Sequence, residues 1–484
     1  MKFRPVIHLI GWTLVVLGCA MTACMAVAWS VEDGPAAVRA LAFGCASAFI
    51  PGVLMMACTR GHEEIGRREG FAVVVLSWLG AAIVGAVPFK AAGVISTWPA
   101  AVFETMSGFT TTGASVLADP SVLPKSLLLW RATTQFLGGM GVLVLVVAIL
   151  PLVGTGGMQL FRAEMPGPTK DRLTPRIAGT AKRLWGVYVG FAFAETVLLR
   201  WAGMSWFEAI CHTFTTVSTG GFSTRAGSIG EFQSPLIEWI VIAFMFLGGA
   251  NFALHYRALA RRELAYHRDS EFKLYSLIVI VAILLVSEVI GFTSGVLAPL
   301  DTLRKAAFAV VSVLTTTGFA TEDFDRWPAL ARIVLFGLMF LGGCAGSTAG
   351  SIKIVRVLIV LRMLGREIYR WLQPDAVVSI KVDKEAVEAP VLLNVALFVV
   401  LYLLVFAVGT AVMAVHFGDD WVSPMSAVAA CLGNIGPGLG AVGPVQTYAP
   451  IPGWAQLWLA LLMLLGRLEL FTVLVLWLPS CWRR

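Results

Sequence analysis

The sequence predicts an all-α membrane protein built from four tandem units of one design, preceded by two extra transmembrane helices. Three observations predict it. The chain of 484 residues is 58% hydrophobic and only 13% charged, against roughly 25% charged in soluble domains, and its mean hydropathy is +0.82. A phrase of hydroxyl residues and glycine recurs as Thr111-Thr112-Gly113, Ser218-Thr219-Gly220, Thr316-Thr317-Gly318 and, degenerate, Asn434-Ile435-Gly436, with the glycines 107, 98 and 118 residues apart. A second phrase follows each of them in step: Leu137-Gly138-Gly139, Leu247-Gly248-Gly249, Leu341-Gly342-Gly343 and Leu464-Leu465-Gly466. Two phrases repeating together with a period near 100 residues mark copies of one unit.

The elements follow in order. After the basic start Met1–Arg4, an apolar run from Val6 to Trp29 exceeds the roughly 7–15 residues of a signal-peptide core and suits a retained helix of about 20 residues. A second span covers Val38–Ala57, then a charged loop runs from Thr59 to Arg68. Each unit opens with a full span: Phe71–Phe89, Leu184–Ala202, Leu274–Phe292 and Val391–Val415. A shorter apolar segment follows: Trp98–Phe109, Trp206–Thr216, Thr302–Leu314 and Trp421–Leu432. Such a segment rises about half the bilayer thickness, so it enters without crossing. The Thr/Gly phrase comes next, and a further full span closes each unit, from Lys125, Pro235, Ala329 and Gly453. The boundaries are 1–70 for the two N-terminal helices, then 71–180, 181–272, 273–386 and 387–484 for the units.

Loop charge sets the topology. With the Thr/Gly phrases opening outward and both termini inside, 24 Lys/Arg fall in cytoplasmic segments and 10 outside, as the positive-inside rule requires. The net charge of +7 is therefore a membrane signature and does not call for nucleic acid. The basic loops Arg162–Arg183, Arg257–Lys273 and Arg356–Lys384 suit anionic lipid. Eight cysteines without C-x-x-C spacing and six scattered histidines offer neither a disulfide frame nor a metal set. No nucleophile–base pair, P-loop or dinucleotide fingerprint is present, which argues against an enzyme.

Non-helical backbone is tolerated at membrane depth only where it is buried or lines a wet cavity. Glycine permits the positive φ that turns successive carbonyls toward one axis, threonine adds hydroxyls, and the short helices aim their negative C-terminal ends inward. Rings of such oxygens replace the water of a monovalent cation without fixed charge. The expectation is thus a set of helix–pore-helix–filter-loop–helix repeats around a pseudo-fourfold pore. Its filter residues are Thr111, Thr112, Gly113, Ser218, Thr219, Gly220, Thr316, Thr317, Gly318, Asn434, Ile435 and Gly436. Glu104 and Glu208 read as anchors for these loops. The mouth acids Asp119, Glu322, Asp323, Asp325, Asp419 and Asp420 either concentrate cations or form an ordinary solvated face.

The third closing helix is interrupted by the stretch 342–351, with Gly342, Gly343, Gly346, Ser347, Thr348 and Gly350. Each glycine costs about 1 kcal/mol against alanine in a helix, so this backbone unwinds. Lys353 follows it, and Arg467 sits within the last helix: its charge makes it a candidate for gating, and the structural alternative is that it pairs with Glu469 or another buried carboxylate or bonds loop carbonyls.

These phrases, together with Met106–Ala114, His212–Thr224, Leu314–Thr321, Gly433–Gly440 and Gly466–Thr472, resemble the TrkH-type subunits of bacterial Trk potassium-uptake systems, within the Trk/Ktr/HKT superfamily. The resemblance covers the whole chain. It implies K⁺ as the bound and transported ion, an inner-membrane location, a homodimer, and a gating loop at 342–351. It also implies control by a cytosolic TrkA-type ring that carries the nucleotide. Glycine in every loop implies preference for K⁺. A secondary transporter is the competing class: it uses broken helices too, but with two large, often inverted repeats in place of four that run the same way.

Overall fold

The computed structural model describes residues 1–59, 66–141, 177–263, 265–294, 299–383 and 385–482. The charged loop at 60–65 and most of the basic loop that begins at Arg162, through residue 176, lie outside them.

Two long helices, α1 (Phe3–Ser30) and α2 (Pro35–Cys58), come first. They pack on each other where small residues meet, Gly11 against Gly52 and Gly18 against the Phe49 ring, the usual basis of helix association in lipid. The four units follow. Their opening helices are α3 (Arg67–Ala91), α6 (Ile177–Trp201), α10 (Ser270–Ser294) and α14 (Ala389–Phe417). Their short helices are α4 (Trp98–Phe109), α7 (Trp206–Val217), α11 (Pro299–Leu314) and α15 (Val422–Leu432), close to the predicted half-spans. Among the described residues, α1, α2, α3, α10 and α14 are long and apolar enough to cross a membrane.

The closing helices are shorter than the full spans the sequence suggests, and the break in the third is the one its glycine content predicts. α5 (Lys125–Gly139), α8 (Pro235–Gly248), α12 (Ala329–Leu338) and α16 (Gly453–Arg467) have 15, 14, 10 and 15 residues, and residues 142–176 after α5 lie outside the described ones. After α8 the chain bends by 100° into α9 (Phe252–Arg261), and after α16 by 110° into Phe471–Trp477, which begins with α17 (Phe471–Leu474). The breaks fall on the Leu-Gly-Gly phrases. A Cβ on Gly138 would collide with the Phe109 carbonyl, and one on Gly466 with the Leu432 carbonyl. In the first and fourth units the glycine lets the closing helix press on the end of its own short helix, whereas Gly249 approaches Thr315 of the next unit and Gly343 the Gly249 carbonyl of the preceding one. The carbonyls freed at the breaks need partners: Tyr188 Oη donates to Phe136 O (2.9 Å) and Tyr275 Oη to Phe246 O (3.1 Å).

The third unit continues through the unwound segment into α13 (Ile354–Leu372) and a small antiparallel hairpin, β1 (Lys381–Val382) with β2 (Glu385–Ala386). A last turn, α18 (Pro479–Trp482), ends the described chain.

Candidate functional site

The short helices are built to stop where they do. Ser205 and Glu208 form a reciprocal capping box at the start of α7, and Asp420 Oδ1 accepts from the Val422 and Ser423 amides at the start of α15 (3.0 and 3.2 Å), satisfying orphan donors. Each helix C-terminus turns into its loop by one repeated pattern. The amides of Thr111, Thr219, Thr316 and Asn434 donate three residues back, to Gly108, Thr216, Val313 and Cys431. The next amides, of Thr112, Gly220, Thr317 and Ile435, donate five residues back, to Ser107, Thr215, Ser312 and Ala430.

This pattern fixes the register of the loops, and it corrects the sequence alignment in the second. Thr111, Thr219, Thr316 and Asn434 all have left-handed φ, of 52, 53, 57 and 55°. Two residues on, Gly113, Gly221, Gly318 and Gly436 have φ of 83, 78, 79 and 104°. Gly221, not Gly220, is therefore the counterpart of Gly113. The sequence reading takes Gly220, the glycine that directly follows Ser218-Thr219, and so falls one residue short of the left-handed position. Gly220 instead stands level with Thr112, Thr317 and Ile435, and Ser218 level with Thr110, outside the positive-φ set.

The four loops close on one another in chain order. A Cβ on Gly113 would strike the carbonyl oxygen of Gly220, one on Gly221 that of Thr317, one on Gly318 that of Ile435, and one on Gly436 that of Thr112. Each glycine is thus pressed against the next unit's carbonyl, and the fourth returns to the first. A cavity of about 110 Å³ opens beside this ring, and all four of these glycines line it. The hydroxyls of Thr112 and Thr317 turn away to Thr110 and Thr315 (2.8 Å each), and the Ile435 side chain is buried in the apolar core. These positions offer the axis backbone only. At the level of Thr111, Thr219, Thr316 and Asn434, the Thr111 hydroxyl is buried without a hydrogen-bond partner among the described residues, Thr219 Oγ1 donates to Ser218 O (2.7 Å), and Asn434 Nδ2 donates to Thr112 Oγ1 (3.1 Å) and Met463 O (2.9 Å).

Groups behind the ring hold it. Glu104 accepts from the Val116 amide (2.9 Å) and the Ser115 hydroxyl (3.0 Å) and pairs with Arg131 (2.7 Å); both charged side chains are buried. In the next unit His212 takes the place of Glu104 and bonds Ser223 Oγ at 3.0 Å. Glu208 is a helix cap and pairs with Arg225 at 2.7 Å. Arg131 and Gln135 carry no spacing signal in the sequence, because they reach a loop 92 and 85 residues on; Tyr448 donates to Gly436 O of its own unit at 2.9 Å. Most of the mouth acids are committed locally. Glu322, Asp323 and Asp325 pair with Lys305, Arg326 and Arg332, and hydrogen bonds from the Ser121 hydroxyl and amide hold the Asp119 carboxyl below its usual range.

The segment 342–351 packs against the loops on the side of Thr316 and Val217. The Gly350 amide donates to Thr316 Oγ1 (2.7 Å), and Thr348 Oγ1 donates to the carbonyls of Val217 (3.1 Å) and Gly248 (3.2 Å). Gly342 N bonds Ile352 O at 2.9 Å, Gly346 O accepts from Phe252 N at 3.0 Å, Ser347 Oγ bonds Cys344 O at 2.6 Å, and a Cβ on Gly343 would meet Gly249 O. Lys353 Nζ donates back to Ala349 O. Arg467 Nη1 donates to Thr348 O (2.6 Å), and Nη2 to Gly138 O and Gly139 O (2.8 Å each). Of the structural partners the sequence offers it, Arg467 bonds backbone carbonyls, and Glu469 pairs with Arg356. Glu271, read in the sequence only as part of a basic loop, pins the segment from outside: its Oε1 accepts from Ala345 N (2.7 Å) and Val355 N (2.9 Å).

Comparison with known proteins agrees with this geometry. The family described as TrkH, cation transport protein, matches residues 38–482. The "Trk system potassium uptake protein TrkH" of Salmonella typhimurium is 41% identical, and that of Escherichia coli K12 40%, each over the full length of both chains. The "Trk system potassium uptake protein TrkG" of Escherichia coli K12 is 35% identical over 99% of both. The crystal structure of the potassium transporter TrkH from Vibrio parahaemolyticus superposes with a TM-score of 0.89 at 36% identity, covering all of both chains. The chain belongs to the TrkH family of cation transport proteins.

Proposed function

We propose that this chain takes up K⁺ across the bacterial inner membrane as the ion-conducting subunit of a Trk system. The ion sheds water in a filter of backbone carbonyls contributed by Thr112, Gly113, Gly220, Gly221, Thr317, Gly318, Ile435 and Gly436, above an inner level of Thr111, Thr219, Thr316 and Asn434. Segment 342–351, with Lys353 and Arg467, is the gate below it. A cytosolic nucleotide-binding TrkA-type ring controls that gate, two chains pair, and both termini are cytoplasmic. The observation that carries the reading is the closed cycle of glycine-to-carbonyl contacts, since a cation with no fixed countercharge needs oxygens from every side. The names of the relatives support the choice of ion.

Flux in liposomes loaded with K⁺, Rb⁺, Na⁺ or Li⁺ tests it. The expected order is K⁺ and Rb⁺ well above Na⁺ and Li⁺, and equal flux of all four would refute the filter. A second reading, uptake coupled to another cation, is favoured by Glu195. This carboxylate is fully buried on α6 beside the Thr216 hydroxyl, and neither of its oxygens is in a close hydrogen bond among the described residues. Intramembrane carboxylates mark coupling sites in transporters. A reversal potential that follows the K⁺ gradient alone excludes it.

A further inference from the structure

At the ring level of Thr112, Gly220, Thr317 and Ile435, three loops carry a side chain and the second carries none. Backbone conformation does not explain the difference, because Gly220 is not among the residues with left-handed φ. Space does: a Cβ there would fall on the amide group of Gln135. Gln135 comes from α5, in the preceding unit, and is fully buried. Its Nε2 donates to Gly220 O at 2.6 Å, and its Oε1 accepts from Phe222 N at 3.0 Å. One amide therefore spans Gly221, holding the loop on both sides of its left-handed glycine. In the first and third loops the corresponding space is filled by the loop's own threonine, bonded to Thr110 or Thr315 at 2.8 Å.

We infer that Gln135 is a positioning residue that sets the reach of the Gly220 carbonyl and thereby the ion preference of the pore, an inference that rests on the filter reading above. Gly220 O is the oxygen pressed against Gly113 in the ring. A carbonyl that also accepts from an amide is drawn outward and presents a weaker field to an ion. Both effects disfavour the smaller ion, whether selectivity arises from cavity size or from field strength. Without the donor, the carbonyl is free to close on Na⁺.

The test uses the full chain in liposomes, with K⁺ and Na⁺ flux measured separately. In Gln135→Leu the K⁺ over Na⁺ ratio is expected to fall about tenfold, the effect of one net hydrogen bond. In the double variant Gln135→Ala/Gly220→Thr, the second loop acquires the side chain that the first and third loops have, Ser218 stands where Thr110 and Thr315 stand, and most of the ratio is expected to return. An assembled Gln135→Leu protein with an unchanged ratio overturns the inference. If the single variant does not assemble, the double variant decides: a near-wild-type ratio supports the inference, while a lost ratio or no assembly overturns it. Gly113→Ser separates the two claims. If it lowers the ratio and Gln135→Leu does not, the filter stands and the role of Gln135 falls; if the wild-type chain shows no discrimination, both fall.

Discussion

Arg467 donates from Nη1 to the carbonyl of Thr348, 2.6 Å away and 119 residues earlier in the chain. The same guanidinium reaches Gly138 and Gly139 of the first unit. One residue of the fourth unit thus ties the unwound segment of the third to the C-terminal end of α5 in the first. Hydrogen bonds from a charged donor contribute about 1.5–3 kcal/mol each. Arg467→Ala should therefore free the segment and raise K⁺ flux by about tenfold or more, with the K⁺ over Na⁺ ratio unchanged. Flux at wild-type level in a folded protein would argue that this tie does not close the pore.

Glu271 holds the segment from the other side, through one oxygen shared by Ala345 N and Val355 N. Glu271→Ala leaves two buried amides without that acceptor, at about 1–3 kcal/mol each. The expected outcome is K⁺ flux that no longer depends on the cytosolic ring proposed above. Glu271→Gln keeps an amide oxygen in the same place and should retain most of the control. Equal behaviour of the two variants in the flux assay would assign Glu271 a role in folding alone.

The Glu104–Arg131 pair is buried, at 0% and 4% side-chain exposure. Removing one partner of such a pair costs about 3–5 kcal/mol, because the other charge is left uncompensated. Arg131 also caps Ser223 O at 2.9 Å and lies over the Phe222 ring. Arg131→Met should lower thermal stability clearly more than Arg225→Met, whose pair with Glu208 is partly exposed, at 31% and 21%. Similar melting shifts in the two variants would contradict this ranking.

Gly221 and Gly220 differ in what a side chain would meet. Gly221 has φ of 78° and abuts the Thr317 carbonyl, so Gly221→Ala strains the backbone and pushes on the ring at once. Gly220→Ala meets only the Gln135 amide. Gly221→Ala is expected to abolish K⁺ flux, and Gly220→Ala combined with Gln135→Ala to keep K⁺ flux, with the K⁺ over Na⁺ ratio lowered about as far as in Gln135→Leu. The reverse ranking would restore the register that motif spacing suggests.

Much of this was legible in the sequence because it is local. The half-spans are a matter of length, and their ends at Phe109, Val217, Leu314 and Leu432 follow from where Thr and Gly begin. The interruption after Leu341 follows from glycine content. What stayed hidden depends on three dimensions. The choice between Gly220 and Gly221 needs φ, the breaks in the closing helices need the approach of Gly138 to Phe109 and Gly466 to Leu432, and the roles of Gln135 and Glu271 rest on contacts 85 and 74 residues away. Apolar composition carried the closing spans through as continuous helices because Leu-Gly-Gly is also an ordinary packing motif in membranes.

The most direct measurement is the anomalous scattering of Rb⁺ in crystals of the chain grown with Rb⁺ in place of K⁺. The account places density on the axis enclosed by Thr112, Gly220, Thr317 and Ile435, within coordinating reach of all four carbonyls. Density away from that axis, or bound to one loop alone, would contradict the shared filter.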